Sequence, residues 1–333
     1  MSNPKVNVCI STYNRLELLK IAIQSVFDQT YTNWELIICD DGSNDATLDY
    51  MTQLKNDKIH YIRHPNNIGK SNNMRSGFEA ANGDFFVKLD DDDRFNPDFL
   101  AHTVEVLDNY PDVDFVGTDH WIIDINNNRD IAKSNLCSEQ WGRLKLEEGR
   151  VNNLLKVVFV HGSFYIGSTL FRRKSLEDVG YMRPNIQNCE DSDLFVRLAL
   201  AEKTGFYLQE RLMEYRFHAG QQGINRAIPF LRDMIIYLES YHFKSKEIEL
   251  VRQTRLSKNK LSLGILLTQT EKTGEGRKLI LEGQNDSYFK ALFGLFLTMF
   301  NLRWRQKIFI FLMSLKRWFL CYNKLKFIIA KKG

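Results

Sequence analysis

Short apolar runs alternate with helix-period runs through the first third of this chain, and that alternation constrains its fold more than any other feature. Lys5–Ile10 is rich in Val and Ile and has the length of one buried strand. Leu16, Leu19, Ile23 and Val26 then recur at the spacing of one helix face over Arg15–Phe27. The pattern repeats as strand Trp34–Cys39, helix Asp45–Leu54 with Ser43 or Asp45 as its cap, and strand Lys58–Arg63. A helix over Lys70–Ala81, ended by Asn82-Gly83, leads into strand Asp84–Leu89. Asn96-Pro97-Asp98 opens another helix, and Val113–Ile123 reads as another strand. Such alternation predicts an α/β fold: a mostly parallel sheet with helices on both faces.

Ligands of such sheets sit beyond the carboxyl ends of the strands. Polar residues gather there: Ser11-Thr12-Tyr13-Asn14, Asp40-Asp41-Gly42-Ser43, His64-Pro65-Asn66-Asn67, and Asp90 to Asp93. Any one of these loops reads equally well as a turn with a helix cap. Four of them on one predicted rim point to a ligand site.

The last loop is the most demanding. In FFVKLDDDD an apolar run ends in four consecutive carboxylates. Two like charges about 4 Å apart repel by roughly 4 kcal/mol at an effective dielectric of ~20. A divalent cation would remove that repulsion. Mg2+ or Mn2+, which prefers one or two carboxylates plus phosphate oxygens, suits the residues. The competing reading is a solvated acidic turn with Asp93 or Asn96 capping the next helix. The spacing of an EF-hand calcium loop is missing.

At this point the chain resembles the inverting GT-A-fold glycosyltransferases of family 2. VNVCISTYNR resembles their first strand and nucleotide loop, and LIICDDGSNDAT the second. NNIGKSNNMRSGFEAANGDFFVKLDDDD resembles their third helix running into the metal motif. CEDSDLFVRLA is similar to the acceptor-side acidic motif, and YRFHAGQ to the late histidine motif. The resemblance covers roughly residues 4–225, and its specificity lies in the order and spacing of the pieces.

The resemblance implies a GT-A, Rossmann-like fold and a role for particular residues. Thr12, Tyr13 and Asn14 would line the nucleotide, with the Tyr13 ring on the base. Asp41 would accept the base N3–H, a contact suited to uracil or thymine. Asp90 and Asp92 would be the outer residues of a D-x-D motif, Asp92 on the metal and Asp90 on ribose or metal, with Asp91 beside them. Asp191 of the Glu190-Asp191 pair would be the general base, and His218 would lie near metal and diphosphate. Family members often carry Arg-Asn where this chain has Met74-Arg75, so Arg75 sits one position, about 100°, round the helix. Arg63 and Lys70 are other sources of positive charge near the nucleotide, and Gly167-Ser168-Thr169 with Arg172 are candidates for the acceptor floor. The implied reaction is metal-dependent transfer of a sugar from a nucleotide sugar, a UDP-sugar by the Asp41 argument, to a glycan hydroxyl.

Charge divides the chain. Residues 287–333 carry ten Lys or Arg and no Asp or Glu, which leaves 35 basic against 41 acidic residues in 1–286. A mildly acidic body argues against nucleic acid as its main partner. The expected organisation is a catalytic domain over 1–225 (nucleotide-binding 1–120, acceptor-side 121–225), a helical connector over 226–285, and a basic amphipathic tail over 286–333. The longest uncharged run in the tail, Ala291–Leu302, has twelve residues. That is short of the ~20 a spanning helix needs. The tail therefore reads as interfacial helices on an anionic membrane, or as a surface packed on the catalytic domain or on a second copy of the chain in a homodimer. The five cysteines form no C-x-x-C pair and suit a reducing compartment. With no long apolar stretch at the N-terminus, the expected location is cytoplasmic, peripheral at the inner face of the cell membrane. A lipid-linked glycan acceptor in surface-polysaccharide assembly would fit that location. Two rivals stay open: a sugar-nucleotide pyrophosphorylase, which would want a Gly-rich basic loop in place of STYNR, and a non-catalytic membrane-bound sugar-nucleotide-binding module.

Overall fold

The computed structural model describes residues 3–217 and 224–308. The chain divides into compact units, residues 1–222 and 223–333. In the first unit the order is β1 (Val6–Thr12), α1 (Leu16–Phe27), β2 (Trp34–Asp40), α2 (Thr47–Gln53), β3 (Ile59–Arg63), α3 (Lys70–Ala80) and β4 (Phe85–Asp90). There follow β5 (Arg94–Phe95), α4 (Phe99–Asn109), β6 (Phe115–Ile123), α5 (Ile131–Gln140), β7 (Gly149–Arg150), β8 (Thr169–Arg172), α6 (Arg173–Val179), α7 (Glu190–Leu200) and β9 (Gly205–Arg216).

The strands form one sheet in the order β3-β2-β1-β4-β8-β6-β9-β5, with β7 beside β9. The β3-β2-β1-β4 half is parallel throughout. β8 runs antiparallel to both β4 and β6, and β6 pairs parallel with β9. Val6, Val8, Cys9 and Ile10 of β1 are all fully buried, with no inside–outside alternation. That is the signature of a strand covered on both faces.

The topology sets where a ligand can go. The chain leaves β1 towards β2 and β3, then returns through α3 to β4 on the other side of β1. The crevice at such a reversal, beyond the strands' carboxyl ends, is where open α/β sheets bind ligands. The ends there are level, since Ser11 pairs with Cys39 on one side and with Asp90 on the other.

The predicted elements of the first half are present, with small shifts at their ends. Helix α2 starts at Thr47, not Asp45, because the Asp45 carboxylate accepts the Leu16 amide as well as the Thr47 amide and hydroxyl. The short strands β5, β7 and β8 and helix α5 were not foreseen. At two to four residues, those strands are too short to show a period.

The second unit is helical: α8 (Ile224–Glu239), α9 (Lys246–Leu267), α10 (Thr273–Glu282) and α11 (Tyr288–Leu297). Helices α9 and α10 meet through glycine, a Cβ on Gly264 falling 2.8 Å from the Gly276 carbonyl oxygen. Ile280, Leu261 and Ala291 form a small core with α11. The Arg305 guanidinium, itself buried, donates to the Thr268 carbonyl at 2.9 Å and the Thr273 hydroxyl at 2.6 Å. The first part of the basic tail is thus built into this unit, while residues 309–333 lie outside the described residues.

Candidate active site

Side chains lock the first two strand-end loops together. Asn14 takes a left-handed conformation (φ 54°), accepts the Asn44 amide at 2.7 Å, and donates its own amide to the Ser43 hydroxyl at 2.9 Å. The buried Asp40 accepts the Ser43 amide at 2.8 Å and the Tyr61 hydroxyl at 2.6 Å, holding its loop closed. Its neighbour Asp41 is buried and accepts the amides of Ile68 at 2.7 Å and Gly69 at 3.2 Å. Burial raises the pKa of Asp41 against the pull of those two amides. Tyr13 stands exposed on the same rim.

The four carboxylates after β4 take four different environments. Asp90 sits 2.8 Å from the Lys88 ammonium, 3.1 Å from the Tyr165 hydroxyl and 3.8 Å from the Lys70 ammonium. Burial opposes its ionisation, but Lys70 and Lys88 overcome it and hold this carboxyl well below the usual range. Asp91 accepts the Thr12 hydroxyl at 2.8 Å and one Arg15 nitrogen at 3.1 Å. The same nitrogen is 2.9 Å from Asp92. Burial, with the charges of Asp92 and Asp90, pushes the Asp91 carboxyl up to about 6 in spite of Arg15. Asp93 accepts the Arg216 amide at 2.8 Å and the Tyr165 hydroxyl at 2.9 Å, and burial next to Asp92 and Asp90 raises its pKa well above normal. The Arg216 guanidinium is fully buried and donates to the carbonyls of Asp92 at 2.7 Å and Asp124 at 2.8 Å, fixing the backbone of the turn.

Three further acids arrive on α7. Glu190 is buried with its carboxylate 3.1 Å from Lys70, and burial raises its pKa against that cation. Asp191 is half-buried, one oxygen accepting the Ser192 amide at 2.7 Å. Asp193 serves the fold: it is fully buried between Arg183 and Arg197. Helix α3 is pinned to the loop before α7 by the Ser71 amide on Gln187 Oε1 at 2.9 Å and the Ser71 hydroxyl on the Ile186 carbonyl. That seam carries Lys70 to both acidic groups. Asp90 and Glu190, a hundred residues apart in sequence, share one ammonium.

The charges do not balance. Asp90 to Asp93, Glu190 and Asp191 outnumber Arg15, Lys70, Lys88 and Arg216 by two. Burial first, and then the neighbouring carboxylates, raise the pKa values of Asp91 and Asp93. Among the described residues no group of three or more His, Cys, Asp or Glu side chains is placed to hold a metal ion. The donor set fits a cation that takes one or two carboxylates and completes its shell with phosphate oxygens and water, the habit of Mg2+ and Mn2+.

Several expected residues therefore gather here: Thr12, Asn14, Asp41, Asp90, Asp91, Asp92, Glu190 and Asp191. Arg75 is a correction. Its guanidinium donates to the carbonyls of Gly180 at 3.1 Å and Met182 at 2.9 Å and lies near Glu79, tying α3 to the loop after α6. The one-position shift on the helix turns it to that seam, and Lys70 is the α3 cation at the acids. Arg172 also departs from expectation. It clamps the carbonyls of Val113, Leu107 and Tyr110 at the end of α4. His218 lies outside the described residues. Lys88, Tyr165 and the Arg15 contact were missed. Lys88 was findable, since residues two apart on a strand share a face and Lys88 precedes Asp90 by two. Tyr165 carried no such signal, because it reaches Asp90 and Asp93 from 75 and 72 residues away.

A model of the family described as Glycosyl transferase family 2 matches residues 7–180. The putative glycosyltransferase EpsE of Bacillus subtilis is 29% identical over 218 residues, covering 65% of this chain and 74% of that protein. The GalNAc(5)-diNAcBac-PP-undecaprenol beta-1,3-glucosyltransferase of Campylobacter jejuni is 38% identical over 93 residues, 27% of this chain and 30% of that protein. Among solved structures, residues 1–349 of S. aureus TarS in complex with UDP-GlcNAc superpose with a TM-score of 0.61 at 16% identity, covering 84% of this chain and 79% of that one. The mannosyltransferase PcManGT of Pyrobaculum calidifontis, in complex with GDP-Man and Mn2+, gives 0.58 at 15% identity over 90% and 82%. At such identities the likeness is one of fold.

Proposed function

The chain belongs to glycosyl transferase family 2, and from that premise we propose that it moves a sugar, with inversion, from a UDP-sugar to a hydroxyl of a lipid-linked glycan during assembly of a bacterial-type surface polysaccharide. The observation that carries this reading is the Lys70 ammonium, 3.8 Å from Asp90 and 3.1 Å from Glu190. A strand-end acid and an α7 acid near one cation support a site with a donor side and an acceptor side, as displacement at an anomeric carbon requires.

In this reading Tyr13 stacks on the base and Asp41 accepts its N3–H. A carboxylate has about four lone-pair sites, so the two amides on Asp41 leave room for a third donor. Thr12, Asn14 and Asp91 shape the nucleotide loop. The acceptor oxygen attacks the anomeric carbon opposite the nucleotide, and its bond forms as the bond to the diphosphate oxygen breaks. Asp191 takes the hydroxyl proton, and the nucleoside diphosphate leaves. Glu190 is committed to Lys70, which favours Asp191 as the base and Glu190 as the residue that positions the ammonium. Asp92, with Asp90 beside it, would hold a Mn2+ or Mg2+, which would supply positive charge to the leaving diphosphate. The catalytic machinery then belongs to residues 1–225, residues 226–285 connect, and the basic tail brings the enzyme to the cytoplasmic face of the membrane. No helix among the described residues is long and apolar enough to cross one. The lipid-linked acceptor draws on the Campylobacter relative, whose name ends in PP-undecaprenol. The uridine nucleotide and the cation draw on the TarS and PcManGT complexes.

Incubation with a panel of nucleotide sugars and Mn2+ tests the reading. A UDP-sugar is expected to raise the melting temperature and to release UDP slowly, with both effects lost on chelation and in Asp92→Ala. Release of pyrophosphate from a sugar phosphate and a nucleoside triphosphate, with no UDP-sugar response, would overturn it.

A further inference from the structure

The second unit leaves one face of α11 without a protein partner among the described residues. Phe289 is 84% exposed, Met299 77%, Tyr288 64% and Phe296 50%, with Leu292 and Phe300 also exposed. At 100° per residue Tyr288, Phe289, Leu292 and Phe296 fall within an arc of about 100° on α11, and Met299 and Phe300 follow in the turn after it. Ala291, Gly294 and Leu297 on the opposite side are buried, and a Cβ at Gly294 would sit 2.9 Å from Ile280 Cδ1. The inner face is thus seated on α10, which fixes the direction of the outer one. An apolar strip this continuous is uncommon on a monomer's surface and marks an interaction site.

The charge around the strip selects the occupant. Arg303, Lys307 and the exposed indole of Trp304 follow the strip; Lys307 lies 5.2 Å from the ring centre. Lys290 has Asp286 at 3.9 Å, and no Asp or Glu occurs from 287 to the end of the chain. Aromatic and aliphatic groups on one arc, cations beyond its C-terminal end and an interfacial Trp match an acyl–headgroup boundary carrying negative charge. We propose that this face, Phe289, Leu292, Phe296 and Met299 with Arg303 and Lys307, docks the enzyme on an anionic lipid surface. The inference rests on the membrane placement proposed above and adds the contact that makes it.

The test is flotation of the full chain with vesicles of phosphatidylcholine alone or with 30% phosphatidylglycerol, alongside release of UDP from a soluble UDP-sugar. Wild type is expected to float with the anionic vesicles at least ten-fold better than with the neutral ones, and to be released by high salt. The double variant F289D/F296D is expected to lose that binding at least ten-fold, with melting temperature and UDP release unchanged. Both positions are exposed, so these changes spare the fold. R303E/K307E serves as a second arm and is expected to lose only the preference for anionic lipid. Undiminished binding by F289D/F296D would overturn the proposal and assign the membrane contact to residues 309–333. A wild-type dimer that this variant converts to monomer, without vesicle binding, would overturn it in favour of a second copy on the face. Loss of UDP release in wild type bears only on the proposed reaction, and loss of flotation only on the docking face.

Discussion

Tyr165 and His120 show what single residues contribute to the site. The Tyr165 hydroxyl stands between Asp90 and Asp93 and serves both. Removing it in Tyr165→Phe leaves two buried carboxylates facing each other without their common donor. The expected cost is about 1–3 kcal/mol in urea unfolding, the penalty of unsatisfied buried polar groups, with weaker binding of UDP and Mn2+. An unchanged midpoint and unchanged binding would reduce the phenol to packing. His120 lies behind Tyr165, its ring 5.5 Å away centre to centre, with Asp119, Arg143, Arg211 and Cys137 around it. Burial first, and then the Arg143 charge, lower its pKa to about 3. An unfolded histidine titrates near 6.5, so the neutral buried ring stabilises the fold fully above that pH. That contribution is lost as pH falls towards 3, by about 1.4 kcal/mol per pH unit. His120→Gln is expected to flatten the stability profile between pH 6 and 4 by about that slope. Parallel profiles would contradict the assignment.

Among the elements, α3 matters most, because it carries Lys70 to the acids. It lies close on the sheet through Gly77, where an added Cβ would fall 2.2 Å from Cys9 Sγ and 2.8 Å from Cys39 Sγ. Those sulfurs belong to β1 and β2 and are fully buried. Gly77→Ala is therefore expected to lower stability by about 1–3 kcal/mol, the cost of overpacking, and to reduce turnover by shifting Lys70. A variant with wild-type melting temperature and turnover would show that the contact relaxes freely. The helix itself was legible in the sequence, as were β1 to β4, because their periods and turn residues are local. The orientation of Arg75 was not. A one-position shift is visible in the sequence, but the Gly180 and Met182 carbonyls that receive its guanidinium are more than a hundred residues away. The short strands that extend the sheet beyond β4 were hidden for a related reason, since they are defined by their neighbours.

For the whole molecule, the sequence carried the strand-end acids and the Glu190-Asp191 pair as separate pieces. It contained nothing that required them to meet. The meeting comes from the topology, which puts β4 beside β1, and from the seam between α3 and the loop before α7. It also comes from three cations, Arg15, Lys70 and Lys88, that sit among the carboxylates. The amphipathic tail was legible by composition, but only the packing of Ala291, Gly294 and Leu297 decides which of its faces is turned outward. The central claim is a division of labour between two acids in one cleft, and calorimetry of UDP binding in Mn2+ paired with transfer assays on Asp92→Asn and Asp191→Asn tests it most directly. Asp92→Asn should weaken UDP binding about ten-fold or more, one charged contact of about 1.4 kcal/mol. Asp191→Asn should bind UDP like wild type yet transfer about 10²- to 10⁴-fold more slowly. Wild-type transfer by Asp191→Asn, or wild-type UDP binding by Asp92→Asn, would contradict the account.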